Sequence, residues 1–254
     1  MKLRILHLYD QYLNIYADRG NIAVLRQRCA WRGIDVEVDG LAPGETFEPG
    51  TYDLLYIGGG QDRDQQMIAE RMAIDNGAAL QVAGTDGTVV LAVCGGYQLL
   101  GSHYLDTTGV RQPGVGLLDL YTEAGETRMI GNVAIESELP AIGPRPALVT
   151  TIVGFENHAG RTHLGASATP LGRVLAGHGN DGASGQEGCR LGNVVGTYLH
   201  GPLLPRNPEL ADWLIAGALA HSDGPDAAVL EPLDDALAGR AHAMAMSRAL
   251  AEKS

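Results

Sequence analysis

Short aliphatic runs alternate with helical spacing through the first hundred residues. LRILHLY (3–9), DVEVDGL (35–41), DLLYIGG (53–59) and TVVLAVC (88–94) predict strands. Between them, residues 21–31 predict a helix. Met67, Met72 and Ala73 give helical spacing over 63–76, with Gly77 suiting that helix's end. Alternation of this kind builds a mostly parallel sheet with helices on both faces, so the expected class is α/β, a three-layer α/β/α sandwich.

The pattern changes from about Arg128 to His200, where RPALVTTIVGFENHAG, RVLAGHGN and CRLGNVVGTYLHG read as strands and turns without a helix. These pieces are expected to extend the sheet with antiparallel strands. NPELADWLIAGALA (207–220) predicts an amphipathic helix with Asn207 as cap and Pro208 at its first position, ended by Asp223-Gly224-Pro225. Beyond Glu231, Leu233, Leu237, Ala241 and Met244 recur at helical spacing, which predicts a terminal helix packed through those residues on the body or, as the second reading, on a partner.

Composition narrows the chemistry. An apolar fraction of 45% in 254 residues supplies a full core, and a net charge of −12 repels phosphate backbones, so nucleic acid is not an expected partner. Lys2 and Lys253 are the only lysines. A phosphate-gripping Gly-Lys loop, a Schiff-base lysine and a Ser-x-x-Lys nucleophile therefore have no internal lysine to use, and any ATP chemistry falls to another polypeptide. Cys29, Cys94 and Cys189 are too few and too dispersed for a disulfide framework or a zinc ribbon, which suits a reduced cytoplasm. MKLRILHLYD lacks an apolar core followed by a cleavage site, and no apolar run reaches membrane-spanning length, so a cytoplasmic protein without membrane insertion is expected.

Cys94 is the candidate nucleophile. In VLAVCGGYQLLG it ends a buried strand, and Ala92, Gly95 and Gly96 are small enough for a sharp strand-to-helix turn at the carboxyl edge of the sheet. A helix starting there directs its positive end at the sulfur and favours the thiolate. Cys29 and Cys189 lack such a setting and read as structural. Among eight histidines, His200 in VVGTYLHGPLL reaches the same sheet edge and is the candidate base, with His158 in GFENHAG as its rival. The Gly95 N–H and the Gly58-Gly59-Gly60 turn offer oxyanion donors. GHGNDG (177–182) imitates a dinucleotide loop, but no helix or acidic partner follows, so it reads as a surface loop. His158 and His163 have no third ligand nearby, so no metal site is expected.

The strand-Cys-Gly-Gly-Tyr-Gln elbow, the upstream glycine turn and the Tyr-Leu-His-Gly strand end together resemble the class I (triad) glutamine amidotransferases of the cobyric acid synthase type. LHLYDQYLNIYADRGN (6–21) and GFENHAGRTHLG (154–165) resemble a branch of free-standing glutaminase subunits within it. The resemblance implies a flavodoxin-like glutaminase domain over residues 1–222 with a helical extension over 223–254. It implies that Cys94 attacks the glutamine amide, His200 moves the protons, and Gly59, Gly60 and Gly95 hold the oxyanion. Gln98 would line the glutamine pocket, and Arg128 is the candidate for the substrate α-carboxylate. It implies no cofactor. Ammonia would pass to a Mur-ligase-like, ATP-consuming partner subunit that amidates the D-glutamate of lipid II. Two departures stand out. Ala92 replaces a family glycine, and Pro202 stands where many triad enzymes carry the glutamate of His-x-Glu, so a partner would supply the acid. The same chemistry serving another acceptor, such as a corrinoid, and a non-catalytic scaffold are the alternative readings.

Overall fold

A computed structural model describes residues 1–14 and 19–252, so Ile15–Asp18 of the N-terminal motif and Lys253 lie outside the described residues. The expected early elements are present as β1 (Lys2–Leu8), α1 (Arg19–Ala30), β2 (Asp35–Leu41) and β3 (Leu54–Ile57). The single helix expected over 63–76 is two helices, α2 (Asp62–Asp75) and α3 (Gly77–Asp86). Gly77 opens the second helix; the break belongs to Asn76. Its buried side chain donates to Tyr9 Oη and to the Glu45 carbonyl, both at 3.0 Å, and accepts from Phe47 N–H at 3.2 Å. A polar residue satisfied from three sides pins the corner, which glycine-based punctuation does not signal.

The chain continues through β4 (Val89–Val93), α4 (Gly95–Leu100), β5 (His103–Leu105), β6 (Arg111–Pro113), β7 (Leu120–Leu139) and β8 (Leu148–Leu164). It ends with β9 (Gly172–Ala176), β10 (Gln186–Glu187), β11 (Cys189–Leu191), β12 (Val194–Thr197), α5 (Pro208–Asp223) and α6 (Ala236–Glu252). One sheet has the order β11-β12-β4-β3-β1-β2 and is parallel except for β11. Every residue of β3 and β4 is buried, as a sheet covered on both faces requires. Helix α1 packs on α5, and α2 packs on α3 and α4, giving the helical layers of the α/β architecture.

The strand-rich middle does not simply extend this sheet. Only β11 and β12 join it, whereas β10-β9-β7-β5-β6 form a second sheet with β8 added against β7. The reason is the long antiparallel β7–β8 hairpin, which satisfies its own backbone over most of its length and shifts register between Ala124 and Met129. Asn207 precedes Pro208 as expected, yet its side chain does not cap α5. It accepts from Val153 N–H at 2.9 Å and donates to the Val153 and Leu203 carbonyls at 2.7 Å each, tying the helix start to β8.

The expected apolar row of the terminal helix is also corrected. Leu237 and Met244 are 73% and 59% exposed, while Ala245, Met246 and Ala249 meet Ala134, Val153 and Ala176 of the second sheet. Small residues let the helix approach closely, so the buried face is defined by size rather than by the largest side chains. The Glu252 carboxylate fastens the last turn to β7, accepting from Asn132 Nδ2 at 2.6 Å and from Asn132 N–H at 3.3 Å.

Arginines clamp the other end of this segment. Arg28 of α1 donates from Nε to Asp212 at 2.6 Å and from Nη1 and Nη2 to Asp235 at 2.6 and 2.9 Å, and Arg32 also grips Asp212 at 2.7 Å. Burial pushes the Asp212 carboxyl up, but the two guanidiniums outweigh it and hold it below the usual range. Arg28→Ala should cost about 2–3 kcal/mol in urea unfolding, because it removes the guanidinium from Asp235 and leaves Asp212 with Arg32 alone.

Candidate active site

Strands β4 and β12 are parallel neighbours with Val93 opposite Thr197. The pairing runs one step past β4, where Cys94 N–H donates to the Thr197 carbonyl at 2.8 Å. Cys94 then adopts φ 53°, ψ −109°, and α4 begins at the next residue. Positive φ in a residue with a side chain stores about 1–3 kcal/mol of strain, and close glycine packing sustains it. Gly96 N–H donates to the Gly58 carbonyl at 3.1 Å, and a Cβ on Gly96 would stand 2.6 Å from the Ile57 carbonyl oxygen. A Cβ on Gly95 would stand 3.2 Å from the Gly60 nitrogen. Gly95 therefore packs closely against Gly60, with Gly59 buried between Gly60 and Gly58.

Beside this contact lies a cleft of about 250 Å³ lined by Cys94, Gly60, Gln65 and Gln98 on one side. Arg128, Asn157, His158 and Gly160 of the β7–β8 hairpin line the other. The structure thus brings together the predicted nucleophile, one glycine of the turn, Gln98 and Arg128. Arg128 is held by Asn157, donating from Nε to Oδ1 and from Nη2 to the main-chain carbonyl, both at 2.8 Å. Gln98 donates to Tyr198 Oη at 2.9 Å and accepts from Gln65 Nε2 at 2.7 Å.

His200 lies three residues past β12 and pairs through both backbone groups with Phe155 of β8 at 3.0 Å. It is 1% exposed and sets its ring edge-on to Phe155. His158, the rival, lines the cleft with both nitrogens turned to protein. Nδ1–H donates to the Gly160 carbonyl at 2.8 Å, Nε2 faces Glu156 at 3.7 Å, and the ring stacks on Tyr198 at 3.5 Å. An imidazole so engaged is poorly placed to take a thiol proton. Cys29 and Cys189 are buried, and burial pushes both thiols up to about 12.

Residues 4–208 match the CobB/CobQ-like glutamine amidotransferase domain. The chain belongs to that family. It is 40% identical to the Staphylococcus aureus lipid II isoglutaminyl synthase (glutamine-hydrolyzing) subunit GatD over 217 residues, covering 85% of this chain and 84% of that one. The corresponding Streptococcus pneumoniae subunit is 39% identical over 226 residues, covering 89% and 84%. Cobyric acid synthase from Limosilactobacillus reuteri is 34% identical over 166 residues, 61% of this chain and 30% of that one. A glutamine amidotransferase structure from Thermotoga maritima shares the fold with a TM-score of 0.50 at 16% identity, covering 98% and 96%.

Of the groups gathered at this amidotransferase site, His158 was expected as a rival base, whereas Glu156, Thr162 and Glu187 carried no expectation. On β8 the inward positions alternate as Glu156, His158, Gly160 and Thr162, a polar period-two row whose inversion of the usual core pattern was the available signal. The GHGNDG stretch is not merely a surface loop. His178 N–H, His178 Nδ1 and Gly179 N–H bind the buried Glu156 carboxylate at 2.8, 2.6 and 3.0 Å, and Asn180 bonds Tyr97 Oη at 3.2 Å. Burial pushes Glu156 up, but bonds from His158 and His178 outweigh it and hold the carboxyl below its usual range. A second buried acid, Glu187, accepts from Tyr198 N–H at 2.7 Å and from Thr197 Oγ1 at 3.0 Å, bracing the segment that leads to His200; burial pushes it up to about 8.

Burial pulls His200 down to about 4, helped by repulsion from His158 and Arg128 and opposed by Glu156. An unfolded histidine titrates near 6.5, so between these values the unfolded chain binds the proton that the folded one refuses. This contribution to stability is full above about pH 6.5 and is lost as pH falls toward 4. His200→Asn should therefore flatten the acid limb of the stability profile measured by urea unfolding from pH 7.5 to 4.5.

Proposed function

We propose that this amidotransferase is the glutaminase subunit of a two-chain enzyme that amidates the D-glutamate of lipid II. The strained elbow at Cys94, opening onto a cleft that also holds Gly60, Gln98 and Arg128, carries the reading. The two GatD subunits support the acceptor, since each covers most of both chains.

In this reading Cys94 gives its proton to His200 and its Sγ bonds to the amide carbon of glutamine. The Gly59–Gly60 turn and Gly95 N–H hold the oxyanion, and Arg128 holds the α-carboxylate. His200 returns the proton to the nitrogen, the carbon–nitrogen bond breaks and ammonia leaves. His200 then takes a proton from water, which attacks the thioester; the carbon–sulfur bond breaks, releasing glutamate and restoring the thiol. Ammonia passes to a Mur-ligase-like partner that binds ATP and the lipid-linked acceptor in the cytoplasm.

The orienting acid would come from that partner. Pro202 occupies the position two past His200 and packs on α1, where a Cβ on Gly20 would stand 2.7 Å from Pro202 Cγ. Glutamine hydrolysis should be slow in the isolated chain and rise at least about tenfold in the complex; equal rates would remove the need for an acid in trans. Cys94→Ser should lower ammonia release at least about 10³-fold. Arg128→Ala should raise KM for glutamine about 10- to 100-fold with a smaller change in kcat, as loss of a charged hydrogen-bond pair entails.

A further inference from the structure

Helix α2 brings one side chain into the cleft for which the mechanism above has no use. Gln65 is only 6% exposed and lies against the nucleophile's turn. Its Nε2 donates to Gln98 Oε1 at 2.7 Å, and Gln98 Nε2 donates to Tyr198 Oη at 2.9 Å. Tyr198 Oη meets Thr162 Oγ1 at 2.6 Å, which meets Thr122 Oγ1 at 2.8 Å. This buried chain, crossing from the first sheet's helices into the second sheet, fixes the amide plane of Gln65. With Nε2 committed to Gln98, Oε1 faces the other way. A Cβ built on Gly95 would stand 2.8 Å from it and 3.2 Å from the Gly60 nitrogen, so the oxygen lies beside the Gly95–Gly60 contact, where Gln65, Gly60 and Cys94 line the cleft.

No described residue donates to this oxygen. An acceptor beside oxyanion donors repels a second oxygen and attracts an N–H. A carboxamide carries both on one carbon: its oxygen suits the glycine N–H groups, and its nitrogen has hydrogens to offer. We propose that Gln65 Oε1 accepts a hydrogen bond from the substrate's carboxamide N–H, making Gln65 the residue that selects an amide over a carboxylate or an ester. The bond strengthens as the nitrogen gains the proton with which it leaves, so it acts in the transition state as well as in binding. The glutamate product, with oxygen in place of N–H, is repelled by the same atom. This proposal rests on attack by Cys94.

The test compares wild type, Gln65→Met and Cys94→Ala, each with its partner subunit, on glutamine and on the γ-methyl ester of L-glutamate. The ester delivers the same acyl group and has no amide hydrogen. Methionine keeps the length of the side chain, and thermal unfolding checks that the variant folds. The expected result for Gln65→Met is a 10- to 100-fold lower kcat/KM on glutamine with less than about threefold change on the ester. Parallel losses on both substrates overturn the proposal, since they mean that Gln65 only supports Gln98, holds another part of the substrate or donates to the oxyanion. Unchanged rates on both overturn it as well. Cys94→Ala reports separately on the underlying reading: it should abolish turnover of both substrates, and if both persist the nucleophile is elsewhere whatever the Gln65 ratio.

Discussion

The site depends on one backbone hydrogen bond, from Cys94 N–H to the Thr197 carbonyl. It carries the β4–β12 ladder one residue too far for a relaxed exit, and the chain must turn at positive φ to enter α4. The same bond registers the two strand ends that deliver Cys94 and His200. Residues 95–193, which lie between those strands in sequence, contain the entire second sheet. That insertion folds back so that its β7–β8 hairpin walls the cleft. A parallel pair supplies the edge, and an antiparallel ribbon supplies the cover.

The cover buries two carboxylates. Glu156 and Glu187 are both enclosed, yet they behave oppositely: bonds outweigh burial at Glu156, whereas burial and repulsion from Glu156 outweigh them at Glu187. Glu156 receives N–H groups and an imidazole and stays below its usual range, whereas Glu187 receives one N–H and one hydroxyl and is raised by burial. His158 is locked between a carbonyl, a carboxylate and a tyrosine face.

The first sheet was legible in the sequence because β-branched runs separated by helical spacing specify parallel strands with little ambiguity. Cys94 was legible because two glycines after a buried strand have few other uses. Asn76 hid a helix break, since its role appears only when Tyr9, Glu45 and Phe47 arrive from elsewhere in the chain. The α6 contact face was misread because large residues attract attention, while Ala245 and Ala249 do the packing. Glu156, His158 and Thr162 share the inward face of one strand, and their alternation was present in the sequence, but the partners that make it a site come from distant loops. Gln65 gave no local signal at all: its bond to Gln98 spans two helices.

Burial also makes the three sulfurs chemically unequal. Cys29 and Cys189 stay protonated to about pH 12 and are sealed among hydrocarbon, so oxidants and electrophiles find neither a thiolate nor a path to one. Cys94, by contrast, borders the cleft. Oxidative damage to this protein should therefore fall first on the proposed nucleophile, before it loosens the fold.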